Sequence, residues 1–561
     1  MKMRTLALLL LAAAGLAALP AACGVKVTEK ASPAAQPAQA ARPSAAASAS
    51  PSSPGAATPS PSVTVLPTPT PSAEAAAARR AAATVEVKAI LPQFDAQAAD
   101  IFTRSQVPGA AVAVVAGDGA VYVRCFGVRE VGKPEKVDKD TVFQLASVSQ
   151  SFTTTMLAAL VTEREIGWDD PVQKHWPGFA LWDPWVSRHV TFRDLTAQRS
   201  GLPAYAGDEL DQFGYGRLEI LRRLRYLAPI AGFRAAYAYQ NALPTAAAEG
   251  ASRATGESWE RLLRTRVLAP LGMGSTVLSY RGYLEAPDRS GSHTLVNGTM
   301  RAGTPADDDV FAPAGGVSST IADLVPYVRM QLNGGARAGV RVAADKALAA
   351  THAATTVIGD DEAGPTASAL GWETYGYLGR RVVQHGGDLS AGVSTMVSMV
   401  PADGVGIVVL ANAFPEGQAL TTALTKTLYD LYIEGQPQED WLTEQQLLQD
   451  ELKGSVLDPH QHLPEAPPSD AASPRERAVY EGVFANTYYG RVTVRRGPGA
   501  GLSVRLGRGA TLRYVPWDGD TWRQPQTDTA AVFNVRDGRA RSVRLMVLDF
   551  AGRDGLFVRR Q

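Results

Sequence analysis

Three short segments of this 561-residue chain hold the residue types that acyl transfer needs. Such chemistry takes a nucleophile, a group to receive its proton, and fixed donors for the developing oxyanion. The first segment is Phe143-Gln144-Leu145-Ala146-Ser147-Val148-Ser149-Gln150-Ser151-Phe152, and it runs into a helical apolar pattern at Phe152, Met156, Leu157 and Leu160. This puts Ser147 in the first turn of a helix, where free backbone N–H groups and the helix dipole favour negative charge. A serine there is equally an ordinary helix cap. The second segment is Tyr237-Ala238-Tyr239-Gln240-Asn241, at the entrance to another helix, where Tyr239 is either a proton-transfer group or a packed aromatic. The third is Gln384-His385-Gly386-Gly387-Asp388 on a strand. Its two glycines let a substrate backbone approach closely, while His385 by itself reads equally as a surface or core histidine.

In their order and surroundings, these segments resemble the serine β-lactamase and penicillin-binding protein superfamily, over roughly residues 85–435. Tyr239-Gln240-Asn241 resembles the Tyr-x-Asn motif of class C β-lactamases, related esterases and D,D-peptidases. His385-Gly386-Gly387 is similar to the His-x-Gly version of the Lys-Thr-Gly motif. Ser200-Gly201-Leu202-Pro203, Pro270-Leu271-Gly272-Met273, Ala314-Gly315-Gly316-Val317-Ser318-Ser319 and Ala369-Leu370-Gly371-Trp372 also fall where the superfamily has similar segments. The resemblance implies Ser147 as nucleophile and Tyr239 as the group exchanging protons with the serine and the leaving group. It implies Asn241, His385, Gly387 and Asp388 as substrate-binding, with the Asp388 N–H joining the Ser147 N–H as the oxyanion hole. The substrate would be an ester, β-lactam or D-amino-acid peptide, and no cofactor is implied.

One position departs from the family. The motif is Ser-x-x-Lys, and its fourth residue here is Gln150. Residues three apart on a helix share a face, so glutamine has the reach, but it has neither the charge nor the basicity. A tyrosine without a neighbouring cation keeps a pKa near ~10, leaving about one in a thousand as phenolate at neutral pH. The expectation is an attenuated serine hydrolase; the alternative is a catalytically silent member that binds a cell-wall ligand or a partner. No other lysine or arginine within the motif repairs this; Arg199, beside Ser200-Gly201, is the candidate to approach the site from the helical insert. The loops 205–215 and 355–368 are expected around the cleft.

The elements that must position these groups are legible in the pattern. Residues 110–115 and 121–124 form a hairpin around Asp118-Gly119, and residues 382–384, 393–400 and 405–411 read as strands. Between them lie helical stretches at 151–163, 245–255 and 258–267. The fold class is therefore α+β, an α/β sandwich: an antiparallel sheet flanked by helices, with an all-helical insert. After an amphipathic segment at 443–453 comes a Pro-rich stretch, so 436–474 reads as helix and linker. Residues 475–561 carry short alternating runs beginning near Val492, Leu502, Leu512, Thr521, Ala531, Val543 and Leu556. They resemble the small lipocalin-like barrel often appended to β-lactamase-related hydrolases.

Lys plus Arg and Asp plus Glu both total 55, so no net field draws in nucleic acid. Lys2 and Arg4, the apolar run 6–19 and Pro20-Ala21-Ala22 have the layout of a signal peptide over 1–22, and the run is too short to span a bilayer. Cys23 follows directly and resembles the lipidated cysteine of a bacterial lipobox, with Pro20 where that motif usually has Leu. This predicts an exported cell-envelope protein attached to the membrane through Cys23, or otherwise a periplasmic or secreted one. The stretch 23–84 is rich in Ala, Pro and Ser and reads as a disordered spacer. Neither a His-Glu-x-x-His nor a Cys cluster occurs, and His460 and His462 fall in the linker, so no metal site is expected. The oligomeric state is not legible.

Overall fold

The computed structural model describes residues 73–117, 119–361, 364–455, 462–464 and 466–560. An unbroken apolar run forms strand β1 (Gly109–Ala116), and all of it is buried. Its alternate residues serve opposite faces: Ala111, Ala113 and Val115 join one core, while Ala110, Val112, Val114 and Ala116 join another. A sheet that is apolar on both faces needs a helical layer on each.

That sheet has eight antiparallel strands. With β2 (Gly119–Gly127), β3 (Thr356–Asp361), β4 (Gly364–Ser368), β5 (Glu373–Tyr377), β6 (Arg380–Leu389), β7 (Val393–Val400) and β8 (Val405–Ala411), the order is β2-β1-β8-β7-β6-β5-β4-β3. The N- and C-terminal parts of the domain thus close one sheet, as the sequence pattern implies. Residues 355–368, expected as a loop, contain the outer hairpin β3–β4. Asp118, which falls between β1 and β2 in sequence, lies outside the described residues.

Helix α1 (Ala73–Ser105) packs on one face of the sheet; α2 (Ser149–Glu163), α3 (Ala242–Thr255) and α4 (Ile321–Leu332) belong to the other side. Helix α5 (Glu416–Glu434) joins α1, and α6 (Trp441–Ser455) follows it. Residues 73–84, which the composition places in the spacer, are the first turns of α1. Alanine is the best helix former, and the segment is docked: Ala83 is fully buried and Arg79 pairs with Asp403 at 2.8 Å. Cys23 lies outside the described residues, and Cys125 is half-buried on β2 with a free thiol.

The C-terminal part is a closed barrel of β9 (Gly482–Asn486), β10 (Gly490–Arg496), β11 (Leu502–Leu506), β12 (Thr511–Asp518), β13 (Thr521–Gln524), β14 (Thr529–Arg536), β15 (Arg539–Leu545) and β16 (Leu556–Arg559). Sequence spacing marks seven of these strands. The missed one, β9, is short and ends in Gly and Asn, and it owes its conformation to pairing with β10 and β16. Phe484, Tyr514, Trp522, Phe533 and Phe557 fill the interior. Among the described residues no cluster of His, Cys, Asp or Glu is arranged to hold a metal, and no helix is long and apolar enough to cross a membrane.

Candidate active site

Strand β6 and the turn before α2 bring the first and third motifs together. The Leu145 N–H donates to the Val317 carbonyl at 2.9 Å, and Thr395 Oγ1 on β7 donates to the Leu145 carbonyl at 2.8 Å. The chain then makes a 3₁₀ turn, Ala146–Val148, with Ala146 at φ +50°, and enters α2. This turn separates three nearby serines. Ser149 and Ser151 are fully buried: Ser149 Oγ accepts from the Val317 N–H, and Ser151 Oγ donates to the Val148 carbonyl. Ser147 alone is half-buried and reaches the second motif.

The glycine on β6 has a steric reason. A Cβ at Gly387 would stand 2.3 Å from the Leu145 carbonyl oxygen and 3.0 Å from the Ser147 nitrogen, so only glycine lets the strand pass this close to the serine. Beside it, Asp388 accepts a bond from Gln418 Nε2 at 3.0 Å, and burial raises its pKa to about 6. His385 is buried, which lowers its pKa to about 4, so the ring is neutral at physiological pH.

A chain of side-chain amides ends at the serine. The Gln240 backbone N–H donates to Gln198 Oε1 at 2.7 Å, and Gln198 Nε2 donates to Gln150 Oε1 at 2.7 Å. Gln150 Nε2 donates to the Tyr239 hydroxyl at 2.7 Å, and that hydroxyl donates to Ser147 Oγ at 2.6 Å. Every link is neutral. Burial pushes the Tyr239 pKa well above its ordinary value; the bond with Ser147 offsets this only in part, and Tyr205, Asp208 and Asp308 push it further up. Among the described residues, no lysine or arginine bonds to Ser147, Gln150, Tyr239 or Asn241. Arg199 does not fill the gap, because its guanidinium donates to buried Asp194 at 2.7 Å.

Asn241, at the mouth of α3, is held on both sides. Its Nδ2 donates to Asp208 at 2.7 Å, and its Oδ1 lies 3.3 Å from the Tyr239 hydroxyl. The segment 205–215 supplies this wall, for the Tyr205 ring lies 5.3 Å from that of Tyr239, centre to centre, and the Tyr205 N–H donates to the Tyr239 carbonyl at 2.6 Å. The structure therefore gathers Ser147, Gln150, Tyr239, Asn241 and Gly387 at one locus, with His385 and Asp388 on the same strand as Gly387. Sequence reasoning missed Gln198, Tyr205 and Asp208. Only the last two fall in a stretch already marked as lining the cleft.

Comparison with known proteins points to one family. A family model described as Beta-lactamase matches residues 87–429. The chain is 26% identical over 408 residues to unguisins hydrolase ungD' of Aspergillus campestris, covering 70% of this chain and 75% of that protein. It is 30% identical over 332 residues to penicillin-binding protein 4 of Amycolatopsis lactamdurans, covering 55% and 82%. It is also 25% identical to the D-alanyl-D-alanine-carboxypeptidase/endopeptidase AmpH of Escherichia coli, covering 57% and 83%. The fold resembles the octameric penicillin-binding protein homologue of Pyrococcus abyssi, with a TM-score of 0.55 and 18% identity over 84% of this chain and 100% of that one. With its family segment spanning most of the folded chain and its motifs gathered in one cleft, this chain belongs to the β-lactamase family.

Proposed function

We propose that the protein is a serine hydrolase that acts through an acyl-enzyme at Ser147 on an ester, a β-lactam or a D-amino-acid peptide. The observation that carries this reading is the 2.6 Å bond between Tyr239 and Ser147, next to a glycine-thinned strand. Ser147 Oγ bonds to the acyl carbon while its proton passes to the Tyr239 oxygen; the Tyr239 O–H turns from Ser147 to the leaving group and protonates it as its bond to the acyl carbon breaks. No separate phenolate is then needed. The Ser147 and Asp388 N–H groups stabilise the oxyanion, and water later releases the acyl group by the reverse proton path.

The rate is attenuated because no cation sits at Gln150. A neutral amide bond to Tyr239 supplies much less stabilisation to developing negative charge than an ammonium does. The same feature favours a second reading, in which the cleft binds such ligands without turning them over. A chromogenic ester and a chromogenic β-lactam assayed with wild type and Ser147→Ala separate the two. Slow turnover that Ser147→Ala abolishes supports the enzyme; saturable binding with no adduct on Ser147 supports the silent reading.

We also propose export and attachment through a lipidated Cys23, on the strength of residues 1–23. The protein should then enter the detergent phase, and Cys23→Ser should release it. A mature N-terminus other than lipidated Cys23, read by mass spectrometry, would overturn this.

A further inference from the structure

The C-terminal barrel is bonded to the segment that walls the cleft. Arg553, in the loop before β16, is buried to its tip: its Nε donates to Glu209 at 2.9 Å and its Nη2 to the Ala204 carbonyl at 2.9 Å. Tyr488, in the turn between β9 and β10, accepts from the Gly207 N–H at 2.9 Å. The Arg508 and Ala510 N–H groups donate to the Phe213 and Gln212 carbonyls at 3.0 and 2.7 Å, and the Tyr215 hydroxyl donates to the Tyr489 carbonyl at 3.1 Å. The approach is too close for side chains: a Cβ at Gly509 would stand 2.0 Å from the Gln212 carbonyl oxygen.

The opposite side of the same segment holds the Tyr-x-Asn motif. Gln240 Nε2 donates to the Leu202 and Pro203 carbonyls at 2.9 and 3.0 Å, and the Tyr205 N–H donates to the Tyr239 carbonyl at 2.6 Å. Asp208 accepts from Asn241 at 2.7 Å and stands one residue from Glu209, the partner of Arg553. Residues 202–215 are thus clamped between two bodies.

We infer that the barrel is a working part of the cleft, and that Arg553 is a positioning residue which, through Glu209 and the Ala204 carbonyl, sets Asp208 and Tyr205 against Asn241 and Tyr239. A buried guanidinium with two acceptors fixes a loop more tightly than apolar packing does, because its planar fork prescribes direction as well as distance. The consequence for function, which rests on the serine hydrolase reading, is specificity. The resemblance to the Tyr-x-Asn motif assigns the Asn241 amide to holding the substrate, and Asp208 bonds to that amide, so the barrel should matter more for an acyl donor with an amide to hold than for a minimal acetyl ester.

The test uses the full chain with Arg553→Met, with Arg553→Lys, and with Arg553→Met combined with Glu209→Leu. The paired change leaves no buried charge alone and is read where the single variant fails to fold. Arg541→Met, on the exposed side of the barrel, is the control. Amide hydrogen exchange of the Tyr205 and Gln240 N–H groups should rise ~10-fold or more in Arg553→Met, recover in part in Arg553→Lys, and stay at wild-type level in Arg541→Met. In the substrate arm, kcat/KM of Arg553→Met should fall ~10-fold more for an acylamido ester than for an acetyl ester. Gln240 exchange at the wild-type rate, with any change confined to the barrel and residues 204–215, overturns the inference. Exchange needs no turnover, so an inactive wild type sinks the serine hydrolase reading and leaves this result to stand on its own.

Discussion

Two buried polar clusters part company between residues 198 and 199. Arg199 turns to Asp194, which also receives two bonds from Arg234 at 2.9 and 2.7 Å and two from Thr191, from its N–H and its hydroxyl. Burial pulls the Asp194 pKa up, but the bonds from Arg234, Thr191 and Arg199 hold it below the usual carboxylate range. Gln198 turns the other way and joins Gln150, Tyr239 and Ser147, where every group is neutral. The chain supplies two guanidiniums to a structural carboxylate and none to the serine cluster. Buried charge is expensive unless it is paired. The Asp194 cluster meets that requirement, whereas the serine cluster avoids it by having no charge, at a cost in basicity.

The sharpest break of this contrast is Ser147→Ala. An activated-acyl probe should label wild-type Ser147 slowly and the variant not at all, as peptide mapping would show; adduct on buried Ser149 or Ser151 would contradict the geometry. Next in size is Asp194→Ala, which strands two arginines and removes the residue that completes a capping box with Thr191. It should cost about 3–5 kcal/mol in denaturant unfolding, with little change in the labelling rate per folded molecule.

Gln198→Leu probes the neutral cluster by itself. It leaves the Gln150 carbonyl oxygen and the Gln240 N–H without partners, for about 1–3 kcal/mol of stability, and slows acylation because Gln150 is no longer held against Tyr239. Unchanged acylation would show that Gln150 keeps its place without help. The smallest effect expected is that of pH. Burial raises Asp308 to about 7 and Asp388 to about 6, so the fold favours their neutral forms. The stability this contributes is complete below the ordinary carboxylate pKa and is lost as pH rises through about 6 and 7. His385, lowered to about 4, works in the other direction, costing stability as pH falls from ~6.5 towards about 4. Ionised Asp308 also disfavours negative charge on Tyr239, so acylation should fall about twofold to fivefold between pH 6 and 8, and Asp308→Asn should flatten that profile.

The three motifs were legible because each joins a distinctive residue pair to a change of periodicity: Ser147 before an apolar helix, Tyr239 and Asn241 before α3, Gly386-Gly387 within a strand. The sheet was legible through β1 and β8, whose apolar runs have few other uses, and through β7, where Val, Met and Thr dominate. Gln198 was hidden because a lone glutamine carries no spacing signal, and its place in the amide chain exists only once helix and loop are folded together. Arg553 and Glu209 lie far apart in sequence and belong to different structural units, so nothing local marks their pairing. The start of α1 was obscured by composition, since alanine-rich spacer and alanine-rich helix differ mainly in whether a neighbour such as Asp403 offers a dock.

The main limit on acylation in the proposed mechanism is the missing cation. This is tested most directly by the second-order acylation rate of Gln150→Lys against wild type with one activated ester, with melting followed on both. An increase of ~10-fold or more, abolished by adding Tyr239→Phe, is the expected result. A wild type already as fast as good acyl-transfer enzymes, with a stably folded Gln150→Lys that is slower, would contradict the account and show that the neutral amide chain is itself the working base.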